Sequence, residues 1–563
     1  MAQFNRFNEM HVAYFSMEIG VDENVPTYSG GLGILAGDTL RSMADMKVPV
    51  IAITLLYKKG YFKQTIDSDG NQHEEDINWD PNSVLQKLDQ TVSVKIEGRE
   101  IKISAWIYEL KGVTGHVNPI ILLDTNVEGN TDEDKNLTRH LYSGDLKNRL
   151  AQEIILGIGG TRMLRAIHCN NLRRYHMNEG HSALLTLELE REIKQKKGDV
   201  QIHDVRELCV FTTHTPVPAG HDQFPKEMAE SMLGDFITDH MRKHMYFEDK
   251  LNMTYLGLRY SEFINGVAKK HGEVSRTMFP GYHIESITNG VHSAFWTSEP
   301  FKELFNEFVP SWQNDAFSLR YILGVSKEKI WNAHMKAKQI LVDFVNSKYK
   351  SNMNTEDFTL GFARRAATYK RNDLLFQDIE RLMRIADKFD GFQIIFAGKA
   401  HPNDQAGKDM IRNIVQAMKK IKNKIKVCYI EDYNIKIAKT LIPGVDLWLN
   451  TPMRPYEASG TSGMKAAHNG VPQFSTLDGW WLEGHIENVT GWSIGIHPHD
   501  SQEVDPKKDI EDLYTKLEYV ILPKFYNERD DWIAIMQHSI ALNGSFFNTT
   551  RMVQQYVLNA YYL

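Results

Sequence analysis

The second half of the chain alternates short, apolar, β-rich runs with longer amphipathic stretches, and this alternation constrains the fold more than any other feature. After a helical stretch over 326–348, the pattern predicts helices at 372–389, 405–420 and 434–441 and strands at 358–362, 392–397, 426–429 and 447–449. Strands that are separated by helices favour a doubly wound parallel sheet. Ligands of such sheets bind beyond the carboxyl ends of the strands, so we expect functional residues there.

The first half of the chain shows a related pattern with an interruption. Its predicted elements are, in order, a strand at 11–17, a glycine-rich turn at 29–33, a helix at 34–46, a buried strand at 48–57, half-exposed strands at 92–96 and 101–108, helices at 153–168 and 183–194, and a strand at 208–213. The half-exposed strands alternate apolar and polar residues, which is typical of an antiparallel insertion. A last helix at 550–562 is expected to pack its apolar face against the first domain.

Together these patterns predict an α/β protein of two Rossmann-like domains that face each other across a cleft. The first domain, 1–288, carries the antiparallel insertion, and the second, 289–563, ends in the helix that crosses back. The 563 residues suffice for such domains, since a domain takes roughly 100 to 200 residues. The sequence contains no internal repeat and no long linker, which favours two rigidly apposed halves.

Charge and cysteine content narrow the class of protein. The net charge of −7 disfavours a nucleic-acid partner, because binding a polyanion needs excess positive charge. The three cysteines, Cys169, Cys209 and Cys428, form no CxxC pair, which favours a reducing cytoplasm over a disulfide framework or a cysteine zinc site. The longest apolar stretch falls short of the roughly 20 residues of a membrane helix, so we expect no membrane partner.

Two segments have the composition of phosphate sites. Gly30 and Gly31 lie in the turn SGGLG between a strand and a helix, where backbone N–H groups can approach an anion; a plain tight turn is the alternative. Arg364, Arg365 and Lys370 follow the strand predicted at 358–362, where guanidinium and ammonium groups suit phosphate recognition. A solvated basic helix start is the alternative for this second segment.

The most informative segment is YEASGTSGMK at 456–465. Small residues and hydroxyls in a loop supply donors to a phosphate, and Lys465 at the start of a helix can become nucleophilic toward an aldehyde. This is the combination that pyridoxal phosphate requires. An ordinary surface lysine remains open on this pattern alone.

Six ordered motifs extend this evidence across most of the chain. EASGTSGMK at 457–465 resembles the coenzyme-lysine segment of the α-glucan phosphorylases, the family of glycogen, starch and maltodextrin phosphorylases, in its compact prokaryotic type. The chain also carries GGLG at 30–33, HTPVP at 214–218, FINGVA at 263–268, TNGV at 288–291, RRAATYKR at 364–371 and EDYNIKIAKTLIPGVDL at 431–447, which resemble family motifs in family order.

The resemblance implies retaining phosphorolysis of an α-1,4-glucan by inorganic phosphate, with release of glucose 1-phosphate and with pyridoxal phosphate as cofactor. It implies catalytic roles for Lys465, Arg365, Lys370 and His214. It implies phosphate contacts at Gly30, Gly31, Arg365 and Lys370, coenzyme contacts at Lys465, Thr461, Ser462, Arg364, Tyr433 and Gly31, and sugar contacts at Leu32, His214, Asn265, Tyr369, Glu457, Ser459 and Gly460. A homodimer is the family expectation.

Three positions depart from the family pattern. Gly20 stands where a tyrosine beside the cofactor is expected, Arg364 replaces a lysine, and Asn434 replaces an arginine, which weakens one cationic contact near the coenzyme phosphate.

Several alternatives stay open. They are a nucleotide-sugar-dependent glucan synthase on the same fold, an inactive glucan-binding homologue and a glycoside hydrolase with two carboxylates. We expect no metal site. His240 and His244 are spaced HxxxH but lack the glutamate of an HExxH motif, and His497 and His499 form a pair in a loop.

Overall fold

The computed structural model describes residues 6–217, 220–389, 391–498 and 504–562. The chain divides into two compact units. Unit 1 consists of 1–62, 76–288 and 550–563, and unit 2 consists of 63–75 and 289–549. Residues 63–75 belong to unit 2 although they precede 288, and residues 550–563 belong to unit 1 although they end the chain. Pro218 of the HTPVP motif and His499 lie outside the described residues.

The strands of the described residues are numbered in chain order. They are β1 Val12–Ser16, β2 Val50–Leu55, β3 Lys63–Ile66, β4 Gln72–Glu75, β5 Gln86–Ile96, β6 Arg99–Lys111, β7 Val117–Asp124, β8 Arg174–Asn178, β9 Cys209–Thr212, β10 Gln223–Pro225, β11 Lys250–Asn252, β12 Phe263–Gly266, β13 Glu285–Ser286, β14 Thr359–Ala363, β15 Gln393–Ala397, β16 Lys426–Ile430, β17 Leu447–Asn450, β18 Gln473–Thr476 and β19 Gly491–Ile494.

The α-helices of the same residues are α1 Gly31–Asp45, α2 Asp132–Lys135, α3 Leu146–Ile154, α4 Gly160–Ala166, α5 Leu185–Lys197, α6 Ile202–Arg206, α7 Lys226–Leu233, α8 Asp239–His244, α9 Met253–Arg259, α10 Lys269–Met278, α11 Ser293–Trp296, α12 Glu299–Phe308, α13 Lys327–Tyr349, α14 Ile379–Lys388, α15 Gln405–Ile421, α16 Ile435–Gly444, α17 Ser462–Ala467, α18 Trp481–Gly484, α19 Pro506–Lys516, α20 Leu522–Asn527, α21 Arg529–His538 and α22 Thr549–Tyr556. Wider π-turns continue four of them at Ile155–Gly159, Leu517–Ile521, Ser539–Gly544 and Val557–Tyr561.

Unit 1 is built on a sheet of the order β13-β12-β9-β8-β1-β2-β7-β6-β5. The strands from β13 to β7 run parallel, and β6 and β5 are antiparallel, as the half-exposed alternation predicts. Burial of β1 and β2 on both faces explains their continuous apolar sequences. Their carboxyl ends place the glycine turn and the segments after β8 and β9 at one edge of this sheet.

Unit 2 contains a fully parallel sheet of the order β16-β15-β14-β17-β18-β19. If β14 is counted as the first strand, this is the order 3-2-1-4-5-6 of a doubly wound sheet, whose direction of winding reverses between β14 and β17. A ligand crevice is expected beyond the carboxyl ends at that reversal. The segments that start at Arg364 and Thr451 leave the sheet there.

The last helix packs within unit 1. The hydroxyl of Tyr556 on α22 accepts a hydrogen bond from Asn265 Nδ2 at 3.0 Å and lies 3.2 Å from Thr212 Oγ1. The hydroxyl of Tyr561 lies 2.6 Å from His176 Nδ1. These buried contacts place the C-terminal segment against the strands β8, β9 and β12.

Two sequence predictions need correction in detail. The helix predicted at 372–389 is a short 3₁₀ turn at Leu374–Phe376 followed by α14, because Asp378 caps a new helix by accepting from the N–H of Arg381. The helix predicted at 153–168 contains the π-turn Ile155–Gly159. Its glycines lie against neighbouring backbone and side chains; a Cβ on Gly157 would be 2.7 Å from the Leu185 nitrogen.

Candidate functional site

The glycine turn of unit 1 is held by a buried carboxylate. Glu18, directly after β1, is 2% exposed, and its Oε2 accepts from the N–H groups of Ser29 and, at 3.2 Å, Gly30. Its Oε1 accepts from the hydroxyl of Tyr142 at 2.9 Å. A Cβ on Gly33 would lie 2.8 Å from Glu18 Oε2, so only glycine permits this approach. The predicted donor at Gly30 is therefore already engaged.

Helix α1 starts at Gly31, as the strand–turn–helix pattern predicts. Gly31 is exposed, and neither Gly30 nor Gly31 would bring a Cβ within 4 Å of another group. The first N–H groups of a helix have no partner within the helix and carry its positive end. Gly31 and the half-buried Leu32 thus present backbone donors toward open space.

His214 follows β9 and is fixed by the last residue of β8, Asn178, and by the next residue, Glu179. Its backbone N–H donates to Glu179 Oε2 at 2.7 Å, and its Nε2 lies 2.7 Å from Asn178 Oδ1. Burial, reinforced by His271 and His176, lowers the pKa of His214 to about 3. The ring is therefore neutral at pH 7.

Asn265 lies in the interior of unit 1. It is 0% exposed, its Oδ1 accepts from Thr212 Oγ1 at 2.8 Å, and its Nδ2 donates to the Gly266 carbonyl and the Tyr556 hydroxyl. Its amide therefore connects β9, β12 and the last helix. A direct sugar contact of Asn265 stays a prediction that these bonds do not support.

Lys465 of unit 2 lies on α17 and is 7% exposed. Its Nζ is 3.8 Å from the ring centroid of Trp296, and its carbonyl accepts from Asn469 Nδ2 at 2.9 Å. The same amide donates to the Trp296 carbonyl, which ties the two residues together. An ordinary surface lysine is thereby excluded, and Trp296 is a neighbour that the sequence motifs do not predict.

Ser462 and Thr461 precede Lys465 at the start of α17. The Ser462 Oγ accepts from the indole N–H of Trp448 at 3.0 Å, so its hydroxyl proton is available to another acceptor. Gly463 allows this turn to approach Gln473, because a Cβ there would clash with the Gln473 amide.

The basic segment after β14 forms a cluster around one carboxylate. Arg364 is not in a helix, and its Nη2 forms an ion pair with Glu457 Oε2, with side-chain exposures of 6% and 12%. Its Nη1 is buried and, among the described residues, has no hydrogen-bond partner. Burial raises the pKa of Glu457, but Arg364 and Lys370 outweigh this and lower it. The carboxyl group is therefore ionised.

Two more cations join the cluster. Burial, followed by repulsion from Arg364, lowers the pKa of the half-buried Lys370 to about 7. Burial raises the pKa of Tyr369 to about 12, although Arg365 hydrogen-bonds to it. Three basic side chains thus surround a single carboxylate, and an incoming anion would favour their charged forms. The alternative of a solvated basic helix start does not describe Arg364, which is buried and lies before the 3₁₀ turn at Thr368–Lys370.

The loop after Glu457 presents small groups next to this cluster. Ser459 is 4% exposed, and its Oγ has no partner within the described part of the chain. Gly460 has φ +84°, and a Cβ there would lie 3.4 Å from Glu457. An unpartnered buried hydroxyl costs free energy, so it points to a missing polar ligand.

The departures from the family pattern have local explanations. A Cβ on Gly20 would be 3.0 Å from Ile34 Cδ1, so α1 leaves no space for a tyrosine. Asn434 is the N-cap of α16, where it accepts from the Ile437 N–H at 3.0 Å. Tyr433, beside it, is half-buried.

The described residues also bear on metal binding, disulfide bonds and membrane-spanning helices. No group of three or more His, Cys, Asp or Glu side chains there is placed to hold a metal ion. His240 instead contacts Glu190. The three cysteines are buried and unbonded, and no helix in the described ranges has the length and apolar character needed to span a membrane.

Sequence comparison identifies the family of this chain. The family model for carbohydrate phosphorylases matches residues 18–156 and 161–520. A maltodextrin phosphorylase of Thermococcus litoralis is 38% identical over 98% of this chain and 70% of its own length. Glycogen phosphorylases of Mycobacterium tuberculosis and Aquifex aeolicus are 35% and 32% identical over 98% of this chain and 70% and 86% of their own lengths. The predicted resemblance is confirmed: the chain belongs to the carbohydrate phosphorylase family.

Proposed function

We propose that this chain is an α-1,4-glucan phosphorylase, which uses inorganic phosphate to release glucose 1-phosphate from the non-reducing end of glycogen or maltodextrin. The observation that carries the proposal is the cluster of Arg364, Arg365 and Lys370 around Glu457, in which Arg364 Nη1 has no hydrogen-bond partner among the residues that the structure describes. Such a cluster suits two anionic groups held close together, because it screens their mutual repulsion. The names of the relatives support the same activity.

The residues of unit 2 fit pyridoxal phosphate. Lys465 would hold the coenzyme covalently, with Tyr433 and Trp296 lining its ring. Arg364, Thr461 and Ser462 would bind its phosphate, and the unpartnered Arg364 Nη1 is the observation that supports this. When bound, the coenzyme supplies a phosphate whose second pKa of about 6 suits proton transfer near neutrality.

We assign the substrate phosphate to Arg365 and Lys370 of unit 2. The lowered pKa of Lys370 reflects crowded cations, so an incoming dianion would favour the charged ammonium group. Arg365 is exposed and supplies a planar fork of donors. Glu18 fixes the glycine turn rather than binding the substrate.

We assign the glucosyl unit to Glu457, Ser459, Gly460 and Tyr369 of unit 2. Glu457 is ionised and accepts hydrogen bonds from sugar hydroxyls, so it does not act as the catalytic acid. Retention needs no carboxylate nucleophile if phosphate attacks the oxocarbenium-like sugar from the same face that the leaving glucan vacates.

Two alternatives are less favoured. A nucleotide-sugar-dependent glucan synthase would use the basic cluster for a diphosphate but has no use for the buried Lys465. An inactive glucan-binding homologue would not need to retain Arg365, Lys370 and Lys465 together. A cytoplasmic location and a homodimer remain our expectations.

The test is phosphorolysis of maltoheptaose by protein loaded with pyridoxal phosphate, followed by detection of glucose 1-phosphate. The R365A variant should lose phosphate use at least about a hundredfold while glucan binding persists, because a charge-assisted contact is removed from only one substrate. Unchanged phosphate dependence in R365A would refute the assignment of Arg365. Absence of phosphate-dependent product in the wild type would refute the proposed function.

A further inference from the structure

A buried aspartate lies behind the loop that carries the proposed sugar ligands. Asp478 follows β18 and is 3% exposed. Its Oδ2 accepts from the backbone N–H of Glu457 at 2.9 Å, and its Oδ1 accepts from the N–H of Gly479 at 2.9 Å. Each carboxylate oxygen therefore accepts from a backbone group, and one of these groups belongs to the loop that carries the proposed sugar ligands.

The residues after Asp478 hold the same loop at a second point. The N–H of Trp480 donates to the Ser459 carbonyl at 2.9 Å. Gly479 has φ +55°, and a Cβ there would lie 2.4 Å from the Ser459 oxygen. Only glycine allows this contact, so 478–480 fix the backbone on both sides of Ala458.

We propose that Asp478 is a positioning residue for sugar recognition: by holding the backbone of Glu457, it sets where the Glu457 carboxylate and Ser459 hydroxyl present themselves to the glucosyl unit. This inference rests on the proposed function. It assigns Asp478 no contact with phosphate or coenzyme, so the larger effect is expected on glucan binding.

The pKa of Asp478 is raised toward neutral pH. Burial raises its pKa to about 7, and the two charged groups that face it act in opposite directions, with Glu457 raising and Arg454 lowering that pKa. The two backbone N–H groups favour the ionised form. Protonation would remove acceptor capacity and loosen the hold on Glu457.

The kinetic test compares D478N with a matched control. In D478N the amide NH₂ faces one of the two N–H donors, so one of these bonds is lost. We expect the KM for maltoheptaose to rise about tenfold, with kcat and the KM for phosphate within about twofold of wild type, because ground-state and transition-state sugar binding are weakened together. The control is D512N, since Asp512 also accepts from a backbone N–H, that of Gly495 at 2.8 Å, but is not part of the proposed site.

A second readout does not use activity. Hydrogen exchange in the peptide containing the Glu457 amide should be at least about tenfold faster in D478N than in wild type and unchanged in D512N. If D478N does not fold, wild-type protein supplies the measurement. The protection of this peptide, corrected for intrinsic exchange, should fall as the pH decreases through about 7.

The outcomes separate the two claims. If the wild type is active and D478N matches D512N in both the KM for glucan and hydrogen exchange, the positioning role is overturned. A D478N variant whose KM rises equally for glucan and phosphate would overturn it too. An inactive wild type would refute the proposed function, and exchange would then decide whether Asp478 holds Glu457. Protection that does not change with pH in wild type would contradict the role where D478N cannot be made.

Discussion

Replacing Arg364 and Glu457 singly and together tests the ion pair at the centre of the cation cluster. The side chains are 6% and 12% exposed, so water screens them weakly. Two unit charges about 4 Å apart interact by about 4 kcal/mol at an effective dielectric constant of about 20. Local relaxation reduces this value, and we expect R364M and E457Q to show a coupling free energy of about 2–3 kcal/mol.

The assay is urea unfolding of coenzyme-free protein in low phosphate, with the free energy of unfolding measured for wild type, both single variants and the double variant. Each single variant should lose about 3 kcal/mol, since a buried charge is left without its partner, and the double variant should lose less than the sum. The exposed pair Lys424 and Asp387 serves as control, with an expected coupling below about 1 kcal/mol. A coupling below about 0.5 kcal/mol for Arg364 and Glu457 would refute the buried pair.

Further predictions concern protonation and the last helix. The pKa of Lys370 lies below its ordinary value in the folded state, so the unfolded chain binds more protons between about pH 7 and 10. The free energy of unfolding, measured in urea titrations, should therefore rise with pH in that window. K370M or added phosphate should reduce this slope. Burial lowers the pKa of His176 to about 3, so stability should fall as the pH drops below about 6.5, and H176Q should flatten that fall. Y556F should destabilise the protein by about 1–2 kcal/mol in the same assay, because hydrogen bonds to Asn265 and Thr212 are lost. Y562F, at an exposed position, should leave the free energy of unfolding unchanged. Equal effects of the two variants would contradict the packing of the last helix.

Periodicity predicts the regular elements because burial on a sheet or on one helix face leaves a clear pattern. Helix α15 at Gln405–Ile421 and strand β15 at Gln393–Ala397 agree with the predicted 405–420 and 392–397 within one residue. Strand β7 is absent from the prediction, although it lies between β2 and β6 in the sheet. Its apolar run contains Asn118 and Pro119, which weaken the strand signal.

The candidate site is predictable only where its residues are close in sequence. The basic run at 364–371 and the loop at 457–465 stand out because chemistry-bearing residues are adjacent in the chain. The pairing of Arg364 with Glu457 joins positions 93 residues apart, and no local signal encodes it. Glu18 and Asp478 act through backbone N–H groups of other segments, so their roles follow from tertiary packing alone.

The buried Asn265 shows what a matched motif leaves unpredicted. The motif FINGVA assigns it to the sugar, and in the structure its amide bonds to Thr212, Gly266 and Tyr556. The residue that completes this bonding comes from the last helix, 291 positions later. A motif resemblance predicts which residue stands at a position, but not the hydrogen-bond partners of that residue.

The role of Lys465 separates a phosphorylase from the alternative functions, and one measurement tests it directly. Purified protein is incubated with pyridoxal phosphate, its absorbance beyond the tryptophan band is recorded, and it is reduced with borohydride before peptide mass mapping. We expect long-wavelength absorbance and a pyridoxyl adduct on Lys465 in the wild type, and neither in K465A. A colourless wild-type protein, or an adduct on another lysine, would contradict it.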